Sequence, residues 1–147
     1  MASKTNDFRI TEKRNESSMK IDKMDTKEIL ELINKEDKGV AEAVEEEIPK
    51  INRVIKEITE KMRKGGRLFY VGAGTSGRLG VLDAVECVPT FSVDPDKVVG
   101  ILAGGEKAMF EAQENIEDNQ EFGAEAIRDY NIGKNDSIIG IAASGKT

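Results

Sequence analysis

At 147 residues the chain has the length of one ordinary domain, and its net charge of −6, from 28 acidic against 22 basic side chains, leaves no cationic excess to neutralise a run of phosphates. A nucleic-acid surface is excluded on that ground, and any anionic ligand must be held by local geometry. With no histidine and one cysteine, Cys87, the sequence also excludes an intrachain disulfide, the usual zinc sites and histidine-based catalysis.

The first 18 residues lack an apolar signal core and no run of 18 apolar residues follows, so the chain reads as a soluble cytoplasmic protein without a membrane partner. Residues 1 to about 22 are polar and read as an extended, solvated tail, with Thr11-Glu12-Lys13-Arg14-Asn15 as its densest group of functional side chains. Asp25 or Thr26 is placed to cap a short helix with Glu28 in its first turn, ending near Asn34 to Gly39. A second helical region, Val40 to about Lys64, carries Val44, Ile48, Ile51, Val54, Ile55, Ile58 and Met62 at intervals of three and four, and Pro49 predicts a kink or a restart. Its acidic run Glu45-Glu46-Glu47 is a solvated face, while the apolar stripe also suits a helix-mediated homodimer. The organisation expected is a tail and helical region over 1–57 and a second domain over 58–147.

From Gly65-Gly66 onward the pattern alternates: strand Leu68–Val71, helix 76–85, strand Val98–Ala103, helices 108–116 and 120–130, strand Ser137–Ala142. Such alternation predicts an α/β fold, a parallel sheet flanked by helices and preceded by the N-terminal helical region. Ligands bind such sheets beyond the carboxyl ends of the strands, and glycine-rich turns follow both the first and the third strand. Because the last strand runs into Ser144-Gly145-Lys146-Thr147 with no helix after it, the chain is expected to be truncated.

Two motif matches mislead. Gly72-Ala73-Gly74-Thr75-Ser76-Gly77 fits the dinucleotide fingerprint, but Asp94 and Asp96 precede the second strand instead of ending it, where a ribose would be gripped. Gly140 to Thr147 fits the nucleoside triphosphate loop, but its first glycine lies inside the strand and no helix follows to face the phosphates. Together the two turns make better sense. Gly74, Thr75, Ser76 and Gly77 in one, and Ser144, Gly145 and Thr147 in the other, place hydroxyls and backbone amides where a single phosphate can be held. Taken singly, either turn is equally explained by hydroxyls that cap a helix.

Over most of its length, from Thr11-Glu12-Lys13-Arg14-Asn15 through Asn34-Lys35-Glu36-Asp37 to the end, the chain resembles the N-acetylmuramic acid 6-phosphate etherase family of the SIS (sugar isomerase) superfamily. The most specific stretch is Gly65 to Ala84, continuing into Glu86-Cys87 and Pro89-Thr90-Phe91, with Ala103-Gly104-Gly105 and Gly140 to Gly145 beyond it. The resemblance implies a flavodoxin-like three-layer sandwich, here incomplete, that cleaves the D-lactyl ether of a sugar 6-phosphate without metal or redox cofactor. It places the two catalytic glutamates on Glu86, as proton donor to lactate and then activator of water, and on Glu117, as the base at C2. By sequence alone Glu86 is a carboxylate at a helix end, and Glu117 shares a helical spacing with Glu111, Glu114 and Glu121 that suits a solvated face. Val88, Ser92, Asn115 and Ile116 depart from the family pattern around those residues. Ten residues of straight helix set Ser76 and Glu86 about 15 Å apart, which suggests that Glu86 completes a site in another subunit. A non-catalytic SIS module that senses a sugar phosphate is the alternative.

Overall fold

The computed structural model describes residues 13–113 and 120–145. It divides into two units, Met1–Ile55 and Lys56–Thr147. In the first, the expected tail is partly structured: Glu16–Ser18 and Ile21–Lys23 form short 3-10 turns. Asn15 Oδ1 accepts from Ser17 N at 2.8 Å, and its Nδ2 donates to Glu36 at 2.6 Å. The part of the tail over residues 1–12, with Thr11 and Glu12, lies outside the described residues.

Helix α1, Thr26–Arg63, is one element of 38 residues where a short helix and a proline-interrupted second one were expected. It opens on a reciprocal capping box, in which Asp25 Oδ1 accepts from Glu28 N at 2.9 Å and Glu28 Oε2 from Asp25 N at 2.8 Å. The helix continues through Asn34–Gly39 because one glycine costs only about 1 kcal/mol among good helix formers. It continues through Pro49 because that stretch is exposed, so water can satisfy the carbonyl that the missing N–H leaves free. Its end is a Schellman motif: Gly65 stands at φ 86°, Gly65 N donates to Met62 O and Gly66 N to Lys61 O, each at 3.0 Å.

The second unit holds β1 (Leu68–Gly72), α2 (Gly74–Phe91), β2 (Val98–Leu102), α3 (Gly105–Phe110), α4 (Gln120–Asp129) and β3 (Ser137–Ile141). The three strands form the predicted parallel sheet in the order β2-β1-β3, with Gly72 opposite both Leu102 and Ile141. On one face Leu68, Val98 and Ala84 form a buried cluster joined by Ile58, Met62, Tyr70, Cys87 and Ile139. On the other, Phe69 is fully buried and meets Tyr130 edge-to-face at 5.6 Å.

Small residues let α2 lie close on the sheet. A Cβ on Gly100 would stand 2.5 Å from Val81 Cα, and one on Gly80 would stand 2.7 Å from Tyr70 Cβ. Helix α2 is longer than the expected 76–85, because Pro89 falls in its last turn, where one lost backbone bond is tolerated. It closes on Ser92 at φ 53°, whose N–H bonds Val88 O at 2.9 Å. Helix α3 starts earlier than the expected 108–116, since Gly104 and Gly105, at φ 88° and 64°, turn the chain immediately after β2, and it ends at Phe110.

Candidate functional site: two turns at adjacent strand ends

The first turn leaves β1 at Gly72 and enters α2 at Gly74. Ala73 is the N-cap, with extended backbone and no side-chain cap, and the first helical bond runs from Gly77 N to Ala73 O at 3.2 Å. The amides of Gly74, Thr75 and Ser76 precede that bond and have no intrahelical partner, so they sit at the positive end of an 18-residue helix. Thr75 and Ser76 therefore do not follow the capping explanation open to them in the sequence. Gly74 holds φ 54° with open space around its missing side chain, so the demand for glycine there is one of backbone conformation. Gly77 is required for closeness instead, since a Cβ on it would overlap the backbone of Gly72.

The second turn leaves β3 at Ile141. Because Gly72 pairs in register with Ile141, the two turns depart from neighbouring strand ends about 4.8 Å apart. Gly72 itself is wedged between them: a Cβ there would stand 2.8 Å from Gly77 N and 2.9 Å from Ile141 O. Ser144 is exposed, and so is Gly145, at φ 71°. The structure thus brings Gly74, Thr75, Ser76 and Gly77 to the same carboxyl end of the sheet as Ser144 and Gly145. Thr147 and Glu117 lie outside the described residues.

Glu86 is exposed and lies within α2, not at a helix end, and at 1.5 Å per residue it stands about 15 Å along the axis from Ser76. The helix does not bring it to the anion turn of its own chain. Around it the outward surface of α2 is apolar, with Leu79, Leu82 and Val85 all exposed. On the inner side Tyr70 is pushed up to about 12, first by burial and then by its hydrogen bond with Asp83. Cys87 is raised by burial and then by the Asp83 charge, both of which disfavour its thiolate.

Arg78 is the residue that sequence reasoning missed. Its guanidinium lies on backbone carbonyls at the C-terminal end of α3. Nε donates to Ala108 O and Met109 O at 3.0 and 3.1 Å, and Nη2 to Ala108 O and Glu111 O at 2.7 and 3.3 Å. Carbonyl partners thirty or more residues away leave no mark in the sequence.

Compared with known proteins, residues 50–147 match the glucokinase regulatory protein N-terminal SIS domain. The chain is 55% identical over 137 residues to the N-acetylmuramic acid 6-phosphate etherase of Clostridium beijerinckii, covering 93% of this chain and 45% of that one. Identity to N-acetylmuramic acid 6-phosphate etherase 1 of Bacillus licheniformis is 52% over the same shares. With the etherase of Photorhabdus laumondii it is 53% over 138 residues, 94% of this chain and 46% of the relative. The chain spans a little under half the length of these relatives.

Proposed function

Because the chain belongs to the SIS-domain family represented by the glucokinase regulatory protein N-terminal domain, we propose that its two strand-end turns hold the phosphate of a sugar 6-phosphate and that the protein cleaves the D-lactyl ether of N-acetylmuramic acid 6-phosphate. The observation that carries the proposal is the pairing of the uncapped N-terminus of α2 with the turn after β3 at in-register ends of adjacent strands. Identity of 52–55% to proteins named for this etherase supports this sugar.

In the reaction a base removes the proton at C2 of the open-chain sugar, and the electron pair forms a C2–C3 double bond as the C3–O bond to lactate breaks. The departing alkoxide takes a proton from an acid. Water then adds at C3 of the unsaturated aldehyde, its hydroxyl going to C3 and a proton returning to C2, which gives N-acetylglucosamine 6-phosphate and D-lactate. Glu117 is assigned as the base at C2. Glu86 is assigned as the acid that protonates lactate and then, as carboxylate, as the group that activates water. Backbone amides of Gly74 to Ser76, with the hydroxyls of Thr75, Ser76, Ser144 and Thr147, hold the phosphate, Gly77 and Gly145 giving the turns their shape.

Glu86 acts in a homodimer, reaching the phosphate site of a second copy; its 15 Å offset along α2 and the exposed apolar residues around it favour this arrangement. The protein works in the cytoplasm, in keeping with its single free cysteine.

Incubation of the protein with N-acetylmuramic acid 6-phosphate should release D-lactate. A second reading, a sugar-phosphate sensor without turnover, is favoured by the match to a regulatory protein's domain. Binding of the sugar phosphate without lactate would select it, and neither binding nor lactate would refute both. At substrate well below KM, mixing Glu86→Gln with Ser76→Ala protein should raise turnover above the mean of the two measured separately, and no rise would refute the shared site.

A further inference from the structure

Helix α3 has only six residues, so nearly all its carbonyls fall in the terminal turn that has no internal donor. Lys107 O accepts from Glu111 N at 3.0 Å. Ala108 O and Met109 O are taken by the guanidinium of Arg78, which also reaches Glu111 O. Arg78 is therefore the C-terminal cap of a helix from another part of the chain, and its fixed cation complements the negative end of that helix. Among the described residues it forms no ion pair, so its geometry is set by these carbonyls. The other end of the segment is tied to the same place, because Ala103 N donates to Gly72 O at 2.9 Å, beside the anion turn.

We propose that Arg78 is a positioning residue: it clamps the end of α3 to the first turns of α2, so that the chain leaving α3 through Glu111 starts from a fixed point beside the turn that holds the phosphate. Its planar fork spans carbonyls of three residues at once, which the point charge of a lysine cannot reproduce. As a statement about catalysis the proposal rests on the etherase reading.

The test compares wild type, Arg78→Met and Arg78→Lys by two readouts on the full chain. Amide hydrogen exchange over 109–113 should rise about tenfold or more in Arg78→Met with the β1 and β2 amides unchanged, since only the local closing contacts are lost. Steady-state D-lactate release should show kcat reduced about 100-fold with KM within about threefold, the pattern of a displaced catalytic group above an intact phosphate site, and partial recovery in Arg78→Lys. Unchanged exchange overturns the clamp, and raised exchange with unchanged kcat, or with a rise in KM alone, overturns its role in catalysis. Should wild type release no lactate, the etherase reading fails and the exchange comparison decides the clamp by itself. If Arg78→Met does not fold, Arg78→Lys carries both measurements.

Discussion

Replacing Asp136 by asparagine should unlock the end of the sheet opposite the two turns. Asp136 Oδ1 accepts from Arg67 N at 2.8 Å and Nε at 3.4 Å, and its Oδ2 accepts from Arg67 Nη2 at 3.0 Å and Gly133 N at 2.8 Å. The same guanidinium donates to Tyr130 O at 2.9 Å and lies 4.8 Å from the centre of the Phe69 ring. Since Ser137 N also bonds Arg67 O at 2.9 Å, the pair fixes where β3 begins against β1, and so which residues meet at the far end. Hydrogen bonding from Arg67, opposed by burial and aided by the Gly133 and Arg67 amides, holds the Asp136 carboxyl at about 2, against an ordinary 3.8. At about 1.4 kcal/mol per tenfold change that difference caps the stabilisation near 2.5 kcal/mol. The Asp136 side chain is 9% exposed but its partner is 27% exposed, and solvent screening at the guanidinium reduces the expectation to about 1–2 kcal/mol. The folded value lies below the unfolded one, so the contribution is complete above about pH 4 and disappears as pH falls through about 2. Urea unfolding of wild type and Asp136→Asn at pH 7 should differ by that amount, and the gap should close toward pH 2. A gap constant from pH 7 to pH 2 would refute the assignment of the stabilisation to the carboxylate charge.

Three further predictions concern the site. Gly77→Ala forces a methyl into the backbone of Gly72 and to 2.6 Å from Leu102 Cδ1, so a loss of about 1–3 kcal/mol in urea unfolding is expected, and a stable variant would contradict the close packing. Ser76→Ala combined with Thr75→Val should weaken binding of N-acetylglucosamine 6-phosphate, read by calorimetry, about tenfold or more while leaving unfolding within about 0.5 kcal/mol of wild type. Equal affinity would remove the two hydroxyls from the phosphate site. Cys87, with its thiol raised by burial and by Asp83, should react with iodoacetamide more slowly than a free thiol at pH 8, and Asp83→Asn should speed it. A reaction rate independent of Asp83 would discount that influence.

A helix start at Asp25 or Thr26, the change of period at Gly65, the three strands and the strand-turn-helix at Gly72 to Gly77 were legible in the sequence, because each depends on residues a few positions apart. The resemblance added Glu86 and Glu117, which local chemistry alone could not distinguish from surface carboxylates. The continuity of α1 and the extension of α2 past Glu86 were not legible: proline signals a break, and whether the break is taken depends on whether the freed carbonyl finds water or another donor. Tertiary structure alone decided that β1 lies between β2 and β3, because strand order is a matter of crossovers that periodicity does not encode. With it came the meeting of two turns nearly seventy residues apart, the Arg67–Asp136 lock that sets their register and the Arg78 cap on α3. Each of these joins groups 30 to 69 positions apart, and a backbone carbonyl or a strand end looks the same in every sequence until the fold brings it beside its partner.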